Sequence, residues 1–218
     1  MSEKIRLGII GVGNMGSAHG TNIVGGRCPD FELRAVADVN PARLEWAREH
    51  LGAVECFDNA IAMLDSGKID ACMVCVPHYD HAKYAMECMK RGIHVMVEKP
   101  AGVYTKQVRE MNAEADRHPD VVFGMMFNQR TNCVYRKMRE LVQSGKYGRI
   151  RRTNWIITDW YRPQAYYDSG DWRATWSGEG GGVLLNQCPH QLDLWQWICG
   201  MPVAVQSNMR FGQWHDIE

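Results

Sequence analysis

The sequence predicts an α/β fold: a doubly wound parallel sheet followed by an incomplete α+β domain with an open sheet. Three observations predict it. Strand and helix signals alternate from Ile5 to Met126, the pattern of a parallel sheet covered on both faces. A glycine-rich loop, Gly11-Val12-Gly13-Asn14-Met15-Gly16, joins the first strand to the first helix. Beyond Phe127 the alternation stops, and seven of the eight tryptophans fall between residues 151 and 218.

The elements follow in order. Ile5–Ile10 is an apolar strand and Met15–Val24 a helix. Glu32–Ala37 is the second strand. Pro41–Leu51 is a helix, with Asn40 as its N-cap and Pro41 in its first turn, where the missing N–H costs nothing. Val54–Phe57 is a short third strand, and Ala60–Ser66 a short helix closed by Gly67. Ala71–Val76 is the fourth strand, and Tyr79–Arg91 a helix that ends at Gly92. Ile93–Val97, the helix Thr105–Arg117 and the strand Val121–Met126 complete a first domain over residues 1–126.

Residues 127–218 read as a second domain. Asn132–Ser144 is a helix backed by Gly145. Arg149–Trp160 carries a strand in which threonine, tryptophan and isoleucine alternate. A loop rich in Tyr, Asp and Gly leads to Gly180-Gly181-Gly182 and one long amphipathic helix to Cys199, and Val203–Phe211 reads as another strand. Two strands with one long amphipathic helix to cover them cannot bury both faces of a sheet. The segment is therefore expected to be the N-terminal part of a larger substrate and oligomerisation domain, with a homo-oligomer expected of the full-length protein.

Composition narrows the function classes. Lys+Arg and Asp+Glu each number 25 in 218 residues, so the formal net charge is zero. No basic stripe points to nucleic acid, and no apolar stretch has membrane-spanning length. The N-terminus lacks a signal peptide's apolar core, so a cytoplasmic location with reduced thiols is expected. Cys72 and Cys75, followed by His78 and His81, superficially resemble a zinc pattern. Residues three apart on a strand point to opposite faces, so the two thiols would not converge and no metal is expected.

The glycine loop fits G-x-G-x-x-G in its required context, directly after a strand and at the start of a helix. Gly11 makes the tight turn, Gly13 lets the backbone approach a pyrophosphate, and Gly16 allows close helix–strand packing. Asn14 and Met15, at the helix N-terminus, offer free amides and partial positive charge to phosphates. Asp38 ends the second strand, where a carboxylate hydrogen-bonds the adenosine ribose. It would repel a 2′-phosphate, so NAD is expected over NADP, although Arg43 could fold over and neutralise such a phosphate.

Glu98-Lys99-Pro100 follows the fifth strand, at the edge where α/β sheets place their chemistry. Pro100 stops the strand and fixes the turn that would aim Lys99. His78 and His81 begin the loop after the fourth strand, near the expected nicotinamide. Helix capping by Asp80 is the plainer account of that segment.

Taken together, these features resemble the Gfo/Idh/MocA family of NAD(P)-dependent oxidoreductases, which includes glucose–fructose oxidoreductase and inositol dehydrogenase. The resemblance is carried by Gly11–Gly16, Val76-Pro77, Glu98-Lys99-Pro100, and Gly180-Gly181-Gly182 leading to His190 and Asp193. It spans essentially the whole chain, whereas family members are normally much longer. It implies a Rossmann domain followed by an α+β domain, a cofactor cleft between them, and sugar-like or polyol substrates. It also implies that Lys99 contacts substrate and assists proton transfer, that His190 is the catalytic histidine, and that Trp172-Arg173 lies near the cofactor. Val76, Pro77, His81 and Glu98 join the expected cofactor-binding set. Where the family usually has an aspartate, this chain has Asn186, which can hydrogen-bond a hydroxyl but cannot serve as a carboxylate base.

Asn186, His190 and Asp193 are spaced to share one face of a single helix. Asp193 is open between substrate contact and a structural hydrogen bond. Trp160, with neighbouring tyrosines, offers an aromatic face of the kind that packs on sugar C–H groups, and Asn128 and Arg130 could line the same cleft. The function expected is hydride transfer between a secondary hydroxyl of a sugar, polyol or glycoside and a nicotinamide cofactor. Redox-neutral NAD-dependent glycoside cleavage and a non-catalytic NAD-binding regulator are the alternatives.

Overall fold

The structure is a computed structural model that describes residues 3–158, 161–210, 212 and 215–218. The chain divides into two compact units, Met1–Met126 and Phe127–Glu218.

The first unit is built on β1 (Ile5–Ile10), α1 (Asn14–Val24), β2 (Phe31–Ala37), α2 (Pro41–His50), β3 (Glu55–Phe57), α3 (Ala60–Asp65), β4 (Ala71–Val74), α4 (His81–Lys90), β5 (His94–Val97), α5 (Thr105–Arg117) and β6 (Phe123–Met125). The six strands are parallel, in the order β3-β2-β1-β4-β5-β6. The order reverses between β1 and β4, which opens a crevice at their carboxyl ends, where doubly wound sheets bind ligands. Apolar side chains bury both faces of the sheet. Leu7, Ile9, Val36 and Leu44 pack on one side, and Val74, Met89, Val97 and Met111 on the other. The helix starts obey local chemistry: Asn40 accepts from the Ala42 amide at 3.0 Å, and Asn59 accepts from Ile61 at 2.8 Å. The helix expected from Tyr79 begins instead as a 3-10 turn over His78–Asp80, with α4 proper starting at His81.

The second unit contains α6 (Cys133–Gln143), α7 (Gln164–Tyr167), α8 (Val183–Asn186) and α9 (Pro189–Cys199), with a 3-10 turn at Asn128–Thr131. Two expectations are corrected here. No strand forms in 149–158 or in 203–210 among the described residues; Trp160 and Phe211 lie outside them. Alternating side chains alone do not make a strand. The backbone needs a ladder partner, and among the described residues these segments pair with none, leaving Ile156, Val203 and Val205 exposed. The long helix to Cys199 is also broken in two. Pro189 has no N–H to give and would crowd the preceding turn, so the helix ends at Asn186 and restarts with Pro189 in its first turn. Asn186 therefore does not share a continuous helical face with His190 and Asp193. Among the described residues, no helix is long and apolar enough to cross a membrane.

Candidate active site

In the first unit, the loops at the carboxyl ends of β1, β2, β4 and β5 gather most of the sequence-predicted residues. Gly11 adopts φ +89°, and a Cβ there would lie 2.6 Å from the Cys75 carbonyl oxygen. Only glycine lets the first loop touch the loop after β4. A Cβ on Gly16 would come 1.9 Å from the Gly11 oxygen, so helix and loop can close only on glycine. Gly13 differs: a Cβ there would meet nothing within 4 Å. Its face is open, and it caps α1 without a side-chain hydrogen bond or any acid in the first turn. A closed cradle with one open glycine at a helix N-terminus fits a bound pyrophosphate. Asn14 and Met15, both exposed, border that opening.

Asp38 ties the rim together. One carboxylate oxygen accepts from the Val12 amide at 2.7 Å, and the other from the Asn40 amide at 2.8 Å. Each oxygen retains a further lone pair for a ribose hydroxyl.

The loop after β4 is held by His81, which is 1% exposed. Its Nε2 lies 2.8 Å from the Val76 carbonyl, and its Nδ1 2.6 Å from the Pro100 carbonyl. A neutral imidazole carries one N–H and donates to one of these carbonyls at a time; the imidazolium donates to both. Burial pushes its pKa down, against the pull of the two carbonyls and Glu98. His81 thus spends its ring on the backbone that shapes the rim. The Pro77 carbonyl accepts from Asp80 at 3.0 Å and starts the 3-10 turn.

Glu98 is buried at 6% exposure and accepts from the Lys99 amide at 3.2 Å. Its other oxygen lies 2.8 Å from Nε2 of His19, on α1. His19 escaped the sequence argument. The only signal available was a histidine three residues beyond Gly16, on a half-buried helix face. Lys99 itself is partly exposed, and its peptide bond to Pro100 is cis.

In the second unit, Asp193 and Arg130 pair through two contacts, at 2.8 and 2.5 Å. Of the two roles open for Asp193, the structure displays the structural one. The Arg130 guanidinium also stacks on Phe127 and Trp197, and the His190 ring meets Phe127 edge-on at 6.2 Å. Asn186 is buried, and its amide donates to the buried Glu179 carboxylate. Both line a cavity of about 450 Å³ with Tyr167, Trp176 and Gln187. The Arg173 guanidinium lies over the rings of Tyr166 and Trp172 and donates to the Tyr166 hydroxyl at 2.8 Å. Asn128 is exposed at the start of its 3-10 turn.

A reversing parallel sheet with a glycine cradle and a carboxylate at its switch point defines a dinucleotide-binding Rossmann unit. The Gfo/Idh/MocA oxidoreductase family, NAD-binding Rossmann fold, matches residues 5–125, and the family's C-terminal domain matches residues 135–217. The chain belongs to this family. It is 27% identical over 91% of its length to a myo-inositol 2-dehydrogenase of Thermotoga maritima, covering 56% of that protein. It is 29% identical over 95% of its length to the D-glucoside 3-dehydrogenase of Escherichia coli, covering 57% of it. Among solved structures it resembles the WlbA dehydrogenase of Chromobacterium violaceum, crystallised with NADH and UDP-GlcNAcA. That likeness has a TM-score of 0.87 and 28% identity, over 100% of this chain and 61% of that one. The chain thus spans 56–61% of the length of these relatives.

Proposed function

We propose that this chain carries the cofactor site and much of the catalytic apparatus of an NAD-dependent dehydrogenase acting on a secondary hydroxyl of a sugar, polyol or glycoside. The observation that carries the proposal is the convergence of the Gly11–Gly16 cradle, Asp38 and the Lys99 turn on one edge of one sheet. When bound, NAD supplies the hydride acceptor. Gly13 and the first amides of α1 hold the pyrophosphate, and Asp38 accepts from the adenosine ribose. The same carboxylate disfavours a 2′-phosphate, which favours NAD over NADP.

Oxidising an alcohol also requires that the hydroxyl proton leave. Lys99 is assigned to orient that hydroxyl and take its proton, and His190 is assigned the catalytic-histidine role that the family resemblance implies. A lysine works as a base near neutral pH only when desolvation or neighbouring positive charge lowers its pKa. Asn186 is assigned to substrate, where its amide can hydrogen-bond a hydroxyl. The aromatic and amide lining of the cavity beside Asn186 supports a hydroxyl-rich ligand, since aromatic faces pack on sugar C–H groups. The relatives act on inositol and a glucoside and bind a UDP-sugar, which supports the same substrate class.

The test is a spectrophotometric screen for NADH formation across inositols, free sugars, glycosides and UDP-sugars, using the full natural chain. The proposal expects one of these classes to respond with NAD and respond more weakly with NADP. Tight NAD binding with no turnover on any of them would instead support a regulatory role.

A further inference from the structure

We propose that His19 and His81 are positioning residues that clamp the Glu98-Lys99-Pro100 turn from both sides, His19 through the Glu98 carboxylate and His81 through the Pro100 carbonyl. The inference rests on the assignment of Lys99 to the substrate hydroxyl, and it adds what holds that lysine in place.

The turn needs such support. The Glu98 amide still donates to the Val74 carbonyl at 2.9 Å, but β5 ends at Val97, and the chain leaves the sheet at Lys99. Pro100 has no N–H with which to rejoin a ladder. What remains to fix the turn is side chains, and two imidazoles reach it. His19 comes from α1, the helix that opens on the glycine cradle. Its Nε2 lies 2.8 Å from Glu98 Oε1, with side-chain exposures of 20% and 7%. The second Glu98 oxygen accepts from the Lys99 amide, so one carboxylate joins α1 to the backbone of the lysine. From the other side, His81 joins the Pro100 carbonyl to the Val76 carbonyl. The loop containing Val76 is the one that Gly11 touches through Cys75. Cradle, β4 loop and lysine turn therefore form one closed circuit, and a shift in any of them reaches Lys99.

Neither histidine is required by the glycine motif or the lysine motif, and His81, expected in the cofactor-binding set, has both ring nitrogens against backbone carbonyls. The clamp thus acts on the placement of Lys99 and not on NAD affinity. Displacing a reacting group by about 1 Å costs about 100-fold in rate, which sets the scale of the effect.

The test compares wild type with His19→Ala, His19→Gln and His81→Asn in the full natural chain. Three quantities are measured: the NAD dissociation constant, kcat and KM for the responsive substrate, and the 13C resonance of reductively methylated Lys99. That resonance is assigned by its loss in Lys99→Arg. His19→Ala should lower kcat by about 10- to 100-fold and move the Lys99 resonance toward that of a free lysine. Its NAD dissociation constant should stay within about threefold of wild type. His19→Gln, whose amide can still donate to Glu98, should recover most of the kcat. His81→Asn should lower kcat in the same range; should it fail to fold, the His19 pair decides. The proposal is overturned if His19→Ala keeps the wild-type kcat and Lys99 resonance, or if its loss of kcat runs in step with a loss of NAD affinity. Absence of wild-type turnover would sink the dehydrogenase assignment alone, because the Lys99 resonance reports on the clamp without turnover.

Discussion

Gly13 and Gly16 stand three residues apart in one motif, yet they answer to different physics. Gly16 is glycine because the Gly11 carbonyl leaves no room for a methyl group. Gly13 has room and lies at φ −74°, a conformation open to any residue, so the protein alone gives no reason for it. Gly16→Ala should therefore destabilise the fold by about 1–3 kcal/mol through overpacking and weaken NAD as well. Gly13→Ala should leave the melting temperature unchanged and still weaken NAD by about tenfold or more, since it fills the space a pyrophosphate needs. Melting curves and NAD titrations on the two variants separate the roles. His81 makes a second residue-scale prediction. Burial holds its folded pKa below the ordinary value of 6.5. Below that value the unfolded chain binds the proton more readily than the folded one, so stability falls as pH drops from 6.5 to the folded pKa. Urea midpoints measured from pH 7 downward should decline across that window. His81→Asn should flatten the decline while starting from a lower midpoint.

At the scale of elements, Arg130 and Asp193 join the 3-10 turn after β6 to α9. The carboxylate side chain is 8% exposed and the guanidinium 39% exposed, stacked on two rings. Asp193→Asn should cost about 1.5–3 kcal/mol, the range for a hydrogen bond to a charged group. A double-mutant cycle with Arg130→Met should then return a coupling of about 1 kcal/mol or more between the two. A coupling near zero would make the pair a surface contact. The elements also mark what could be read from the sequence. The strands β1 to β6 were legible because each is a short apolar run bounded by turn residues, with a local cap to start the next helix, as at Asn40 and Asn59. The Gly11–Gly16 cradle was legible because the motif encodes backbone geometry. The segments 149–158 and 203–210 misled because alternation records which face is apolar, not whether a ladder partner exists. The spacing of Asn186, His190 and Asp193 misled because it takes no account of Pro189, which restarts the helix. His19 and the partners of Asp193 were out of reach, since they depend on contacts between residues far apart in sequence.

Across the whole molecule, the two units differ in how they are held together. The hydrophobic clusters draw their buried residues from the first unit, whereas the buried apolar side chains described in the second are Pro189, Leu194 and Ile198. Exposed Ile156, Val183, Leu184, Val203 and Val205 leave the second unit with much apolar surface in contact with water. The cofactor cradle, Asp38 and the Lys99 turn therefore rest on the better-packed part of the chain, as a site that demands fixed geometry requires. The central claim is that this edge of the first unit binds NAD through the cradle while Lys99 acts on substrate. The measurement that meets it most directly is NAD affinity and turnover, side by side, in Lys99→Ala. The account predicts an NAD dissociation constant within a few-fold of wild type and a loss of kcat of about 100-fold or more, the scale of removing a proton-transfer group. Wild-type turnover in Lys99→Ala, or loss of NAD binding in proportion to loss of turnover, would contradict it.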